Sequence, residues 1–433
     1  MSEGVAPLRV AAALLVGLLS AAAALASPRC PLPGLAFGPY VGAQDPADGV
    51  VLPEAQIRER LALLRPWTRA IRSYGVTRGL EHTGRVAHEL GLRAAIGAWL
   101  GRDRAANEAE LASLIAAARA GEADVAIVGS EVLLRGDLSV EELVAALARV
   151  RVAIPADVPV TTAEIATSWH AHPELLAAVD LVYVHLHPYS AGHPIDEAVY
   201  HVHREWRALS VRAAPKPVVI AEFGWPSGGQ TLGAAVPSKE NAAATLVRFV
   251  SWAETQRADF FYFEAFDEPW KAALEGASGN DWGVAGARGE PKPGLERALR
   301  CERSNRPEPG FSRIPDATTP GAPSLAFDFV PPRGSHADLR GHARFVVPVD
   351  WSVAVLIDVG GWWTKPTFAT PTLPLGPDGR FTVDVTTGAN DASARRIAAF
   401  LVPWDFIPPP AAGLPEIPAE MQPAAPASLL VER

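Results

Sequence analysis

From residue 35 to residue 266 the chain alternates between two hydrophobic patterns. Short apolar, β-branched runs at 35–40, 70–74, 94–100, 125–131, 160–165, 181–189, 218–222 and 260–266 read as strands buried on both faces. The gaps carry apolar residues at i, i+3 and i+4, as at 108–120, 140–152 and 241–256, the signature of amphipathic helices. Eight such alternations predict an α/β fold, a (β/α)8 barrel, with every βα loop on one face. Beyond residue 304 the pattern changes. SNRPEPGFSRIPDATTPGA, residues 304–322, has no apolar period and reads as a semi-extended linker. Short β-patterned runs then resume at 325–330, 342–347, 353–359, 381–385 and 397–402, and predict a small all-β sandwich over 323–407, with a helix over 392–398 as the one alternative element. Trp362 and Trp363 are adjacent in it, so one should enter the core and the other remain free for a sugar or for the barrel. The Pro/Ala-rich residues 408–433 are expected to be a mobile tail.

Two of the predicted strands stop at a carboxylate. PVVIAEFGWPSGG ends its apolar run at Glu222, and VAIVGSEVLLRGDLS at Glu131. Unpaired carboxylates are costly inside a strand, whereas the carboxyl ends of barrel strands are where pockets open. If both strands belong to one barrel the two groups share a face, and retaining glycoside hydrolysis needs such a pair about 5–5.5 Å apart.

Composition and charge narrow the function. The 433 residues, 48% hydrophobic, suit a barrel of about 250 residues plus an accessory module. The net charge of −9 and the lack of a basic stripe exclude a phosphate-backbone partner. Arg9 precedes an apolar run from Val10 to Ala26 that ends Ala-Leu-Ala, a signal-peptide pattern over residues 1–26 that implies export to a periplasm or beyond and no membrane contact after cleavage. An uncleaved anchor is the alternative. The two cysteines, Cys30 and Cys301, flank the predicted barrel at 27–303, and in an exported chain closure of the barrel would pair them in a disulfide.

VGSEVLLRGDL, VYVHLHPY, VIAEFGWPSGG and FYFEAFDEPWK, in that order, resemble glycoside hydrolase family 17 in its bacterial form, over about residues 34–304. The resemblance implies a β-1,3-glucan hydrolase or glucanosyltransferase acting on a glucan polysaccharide or oligosaccharide; separately, no cofactor is expected and the protein is expected to be a monomer. The resemblance matches Glu131 to the acid/base, Glu222 to the nucleophile, and Glu268 and Lys271 to a supporting pair. One departure is Ser130, where the family has an asparagine that hydrogen-bonds the sugar; serine is shorter and cannot donate two N–H bonds.

Further candidates follow from position. Tyr189, ending the sixth strand, is expected to donate to Glu222, and His187 to lie at the sugar site beside it. Tyr40, Tyr74, Trp99, Trp225, Trp270 and Trp282 fall at or beyond strand ends, where rings can stack on pyranose faces. Glu164 and Glu264 are rival acids. Seven of the eleven histidines lie between His170 and His203, and His185 and His187 share one side of a strand, which leaves a metal-dependent hydrolase as a rival chemistry; no metal is expected in the protein. A catalytically silent glucan-binding protein is the non-enzymatic alternative.

Overall fold

The structure, a computed structural model, describes residues 30–314 and 321–433. The apolar segment read as a signal peptide and residues 315–320 of the linker lie outside them. The expected barrel is present and closed: eight parallel strands run in sequence order, β1 (Leu35–Ala36), β2 (Ala70–Arg72), β3 (Arg93–Ala98), β4 (Val125–Ser130), β5 (Val160–Ile165), β6 (Val182–His185), β7 (Val218–Phe223) and β8 (Phe260–Tyr262), and β8 returns to β1 through Leu35 opposite Tyr262. The helices between and after them are α1 (Glu54–Leu64), α2 (Thr83–Glu89), α3 (Arg104–Arg119), α4 (Val140–Ala153), α5 (Ala166–Ala171), α6 (Pro173–Ala178), α7 (Ala198–Ala213), α8 (Lys239–Gln256), α9 (Ala272–Glu275) and α10 (Pro293–Leu299). Polar residues mark their starts. Asp103 accepts the Ala105 and Ala106 N–H groups at the head of α3, and Ser139 and Glu142 form a reciprocal capping box on α4.

Strand alternation explains the two-layered core. On β3, Ala94, Ile96 and Ala98 join the large cluster under the helices, while Ala95 faces the barrel interior with Val125, Ile127, Tyr183, Val219 and Phe261. Both faces are therefore apolar, which is why these strands read as continuous hydrophobic runs. The barrel's two ends are joined covalently, Cys30 to Cys301, with Cα atoms 5.2 Å apart.

After the barrel the chain forms two antiparallel sheets around a second core. One has the order β14 (Arg380–Val383), β10 (Leu339–Arg344), β9 (Ser324–Phe329); the other runs β16 (Ala412–Leu414), β12 (Trp362–Lys365), β11 (Trp351–Asp358), β15 (Arg396–Pro403), β17 (Ala427–Glu432), with β13 (Thr372–Pro374) also on β11. Trp362 is buried and Trp363 is 37% exposed, on opposite faces. Residues 392–398 form no α-helix; the sequence there enters β15.

The end of the chain corrects the expectation of a mobile tail. β16 pairs with β12, a short helix α11 (Met421–Ala424) buries Met421, and β17 pairs with β15 along its length from Ala427 to Glu432. Its alternation Ala427, Leu429, Val431 faces the sheet core, a period-2 signal masked by the Pro/Ala-rich composition around it. The second domain rests on α7: the Tyr200 hydroxyl donates to the Leu375 carbonyl at 2.8 Å, and Arg207 pairs with Asp350 at 3.0 Å while lying over Trp404.

Candidate active site

The carboxyl ends of β4, β6 and β7 bring Glu131, His185 and Glu222 together. β4 loses register with β5 between Ile127 and Ser130, and Gly129 and then Glu131 take positive φ angles of 83° and 52°. A left-handed glutamate is strained, and the irregularity turns its side chain over the barrel mouth instead of along the strand. The Glu131 amide is tied down by the Ala163 carbonyl at 2.7 Å. Oxygen atoms of Glu131 and Glu222 and a ring nitrogen of His185 all lie within 4.8 Å of one another. His185 bridges the two acids, its Nδ1–H donating to Glu131 Oε1 at 2.7 Å and its Nε2 sitting 3.3 Å from Glu222 Oε1.

Glu222 is enclosed by donors. Arg72, the last residue of β2, donates from Nη1 to Glu222 Oε1 at 2.8 Å and to the Ala221 carbonyl, and from Nη2 to Ser130 Oγ at 2.9 Å. Tyr74 donates to Oε1 at 2.8 Å, and His187 Nε2 lies 3.0 Å from Oε2. Burial alone would raise this carboxyl, but His185, Arg72 and His187 reverse the sign and hold it far below the ordinary carboxylate range. It stays ionised near neutrality and well into acid. Glu131 is subject to the same opposition: burial pushes it up, and the hydrogen bond from His185 brings it below its usual value. His187 is moved the other way, burial lowering it and the bond to Glu222 raising it above an ordinary imidazole.

The tyrosine expected to serve Glu222 is a correction. Tyr189 lies four residues past β6, and its hydroxyl is committed to the Gln230 carbonyl and to Ser278 Oγ; Tyr74, two residues past β2, makes the contact instead. Tyr74→Phe should lower kcat/KM by roughly 10- to 100-fold, the worth of a hydrogen bond to a charged group, and steady-state kinetics on a soluble glucan would measure it. Trp225 is also not a stacking surface: it is 1% exposed, its indole N–H donates to the Val236 carbonyl and its ring meets Tyr189 edge-on. Ser130, in the position expected to reach sugar, has its hydroxyl occupied by Arg72.

The rival acids lie elsewhere. Glu164 is pushed up to about 7 by burial, but it accepts the Leu133 N–H and braces the turn behind Glu131 without lining the cleft. Glu264 is buried against Lys271, which also reaches Glu268 at 2.8 Å. That cluster underlies the cleft floor; a Cβ at Gly38 would lie 1.8 Å from Glu268 Oε1, so the β1 loop must pass there as glycine.

The glutamate pair stands where two cavities meet. One, of about 680 Å³, is walled by Tyr40, Tyr74, Trp99 and Trp270; the other, of about 660 Å³, by His185, His187 and Trp282 among others. Both include Glu131, Glu222 and Glu275. Trp99 is 45% exposed, with the Arg135 guanidinium 4.2 Å over one face, leaving the other open. Sequence reasoning missed Arg72 and Glu275. An arginine closing the apolar run Ala-Ile-Arg was the available signal for the first; Glu275 follows no strand pattern and had none. A cation held jointly by Glu131, His185 and Glu222 would have to share the site with the Arg72 guanidinium already bonded to Glu222, so the rival metal hydrolase is disfavoured electrostatically.

The chain is similar in sequence and fold to known proteins. A probable glucan endo-1,3-beta-glucosidase btgC of Aspergillus fumigatus is 34% identical over 157 residues, covering 32% of this chain and 22% of that protein. The Aspergillus terreus protein of the same description is 26% identical over 299 residues, covering 61% of this chain and 45% of its own length. The chain thus spans less than half the length of these relatives. The crystal structure of the glycoside hydrolase family 17 β-1,3-glucanosyltransferase from Rhizomucor miehei is 26% identical, with a TM-score of 0.54 over 61% of this chain and 96% of that one; an active-site mutant of that enzyme has been solved with laminaritriose. The family model for the BtgE/BtgC glycoside hydrolase domain matches residues 34–283, more than half of the 433 residues, and by that match this chain belongs to the BtgE/BtgC glycoside hydrolase family.

Proposed function

We propose that the chain is a retaining glycoside hydrolase or transglycosylase that acts on β-1,3-glucan through a covalent glycosyl-enzyme. The observation that carries this reading is the approach of Glu131 and Glu222 to within 4.8 Å at the junction of two open cavities, the spacing of a nucleophile and an acid/base and too close for the water of an inverting enzyme. Glu222, kept ionised by Arg72, Tyr74 and His187, attacks the anomeric carbon while Glu131 protonates the departing oxygen. In the second step Glu131 takes a proton from water or from a sugar hydroxyl, which attacks the intermediate and frees Glu222. The aromatic cavity and its neighbour give glucan room on both sides of the scissile bond. The disulfide supports export, and among the described residues no helix is long and apolar enough to cross a membrane.

Incubation with a soluble β-1,3-glucan and resolution of the products tests the proposal. Shorter chains mean hydrolysis, longer or branched chains mean transfer, and binding without change refutes both and leaves the lectin-like alternative. The pH dependence is a second test. Catalysis needs Glu131 protonated and Glu222 ionised, and in the free protein His185 depresses Glu131, so kcat/KM should already be falling as pH rises through the range below an ordinary glutamic acid's titration, and stay flat on the acid side until Glu222 protonates. His185→Ala removes the donor to Glu131 and should move the falling limb to higher pH.

A further inference from the structure

Two more histidines and a glutamate converge on the wall of the cavity that contains His187, away from the glutamate pair. His193 lies on the loop after β6, Glu197 closes the short 3₁₀ turn Ile195–Glu197, and His201 is one turn into α7. The spacing of four residues places Glu197 and His201 on one helical face, where His201 Nε2 is 3.4 Å from Glu197 Oε2. The loop folds His193 back onto the same face. Its amide is fixed by the Pro188 carbonyl at 3.0 Å, and its ring stacks on that of His201 with centroids 3.5 Å apart and planes 15° from parallel. One donor atom from each of the three residues falls within 4.8 Å of the others, and both imidazoles line the cavity.

Two imidazoles and one carboxylate are the donor set of zinc sites that keep one position open, whereas calcium and magnesium require oxygen ligands throughout. The stack itself is not a coordinating arrangement, because no ion can lie in the planes of two nearly parallel rings at once; what it shows is that the two imidazoles and the Glu197 carboxylate already share one small volume. Ligation requires the His193 ring to rotate out of the stack so that its nitrogen points at an ion held by Glu197 and His201, a side-chain movement at the one residue of the three that belongs to a loop.

We propose that His193, Glu197 and His201 bind one divalent transition ion, with zinc as the matching metal, and that the ion clamps the loop after β6 to α7. That loop carries His187, which bonds the Glu222 carboxylate, so the ion stiffens the cleft wall without taking part in the bond cleavage.

Isothermal titration of metal-free full-length protein with zinc chloride tests this without reference to glycosidase activity. The expected result is one zinc per chain and a raised thermal midpoint. His201→Ala and His193→Gln should each weaken binding at least roughly a hundredfold and abolish the midpoint shift, with circular dichroism unchanged in the absence of zinc. Glu222→Gln should leave the affinity within about twofold, since that carboxylate belongs to the separate cluster with Glu131 and His185. Equal zinc affinity in His193→Gln and wild type would overturn the proposal, as would binding that disappears in Glu222→Gln, or no uptake at all. The histidine at 193 is on a partly exposed loop, so its substitution keeps the test open even if His201→Ala fails to fold.

Discussion

Glu222→Gln should reduce turnover of β-1,3-glucan by on the order of 10⁴- to 10⁶-fold, the loss expected when a covalent nucleophile is removed. The amide keeps the volume and can still accept from Tyr74, but it cannot attack the anomeric carbon or form the ester intermediate. Glu131→Gln has a different signature. It removes proton delivery, so glucan cleavage collapses, yet a substrate with an activated aryl leaving group needs no proton and should still glycosylate Glu222. The glycosyl-enzyme then accumulates, because no base remains to activate water, and intact-protein mass spectrometry would record the added sugar mass. A Glu131 variant equally inactive on both substrates, with no adduct, would mean that the two roles are wrongly divided. Arg72 should be left intact in these comparisons, since its loss strands the buried Glu222 charge and costs stability of about 3–5 kcal/mol.

Loss of the Cys30–Cys301 bond has the largest expected effect on stability and little on chemistry. The bond spans 271 residues, and closing so long a loop restricts the unfolded chain by about 5.6 kcal/mol in the entropic account. Cys301→Ser should therefore lower the thermal midpoint by on the order of 10 °C, as differential scanning calorimetry would read. The bond joins the segment that enters β1 to the end of α10, on the amino-terminal side of the barrel, while Glu131 and Glu222 sit at the carboxyl ends of their strands. kcat/KM at 25 °C should accordingly match the unsubstituted protein. An unchanged midpoint would show that the Cys30 amide bond to the Leu299 carbonyl and the packing around it already hold the ends together.

Family membership and site geometry together account for the departures in this chain. Ser130 stands where the resemblance implies an asparagine, and its hydroxyl accepts from Arg72, which in turn bonds Glu222. His187 occupies the second oxygen of the same carboxylate, and His185 links it to Glu131. Glu222 is thus held by the Arg72 guanidinium and by Tyr74 and His187, and on the proposed roles the proton for the leaving group must be loaded on Glu131 against His185. That arrangement favours action in acid.

Local period and the residues at strand ends carry the part of this architecture that can be read before folding. Continuous apolar runs separated by amphipathic segments encode strands buried on both faces, so the order of the barrel, the exits of Glu131 and Glu222 and the closing cysteines were legible in the order of residues. The tertiary structure decided the rest. Arg72 and Glu222 are 150 residues apart and Arg72 and Ser130 are 58 apart, and their contacts exist only because barrel closure and the irregular register of β4 and β7 aim those side chains inward. Tyr189 and Trp225 leave their strands in loops whose hydrogen bonds turn the rings away from the site, while Tyr74 is turned into it. The last strand likewise depended on a partner: its alternation is too short to stand alone, and only the exposed edge of β15 gives its backbone groups hydrogen bonds.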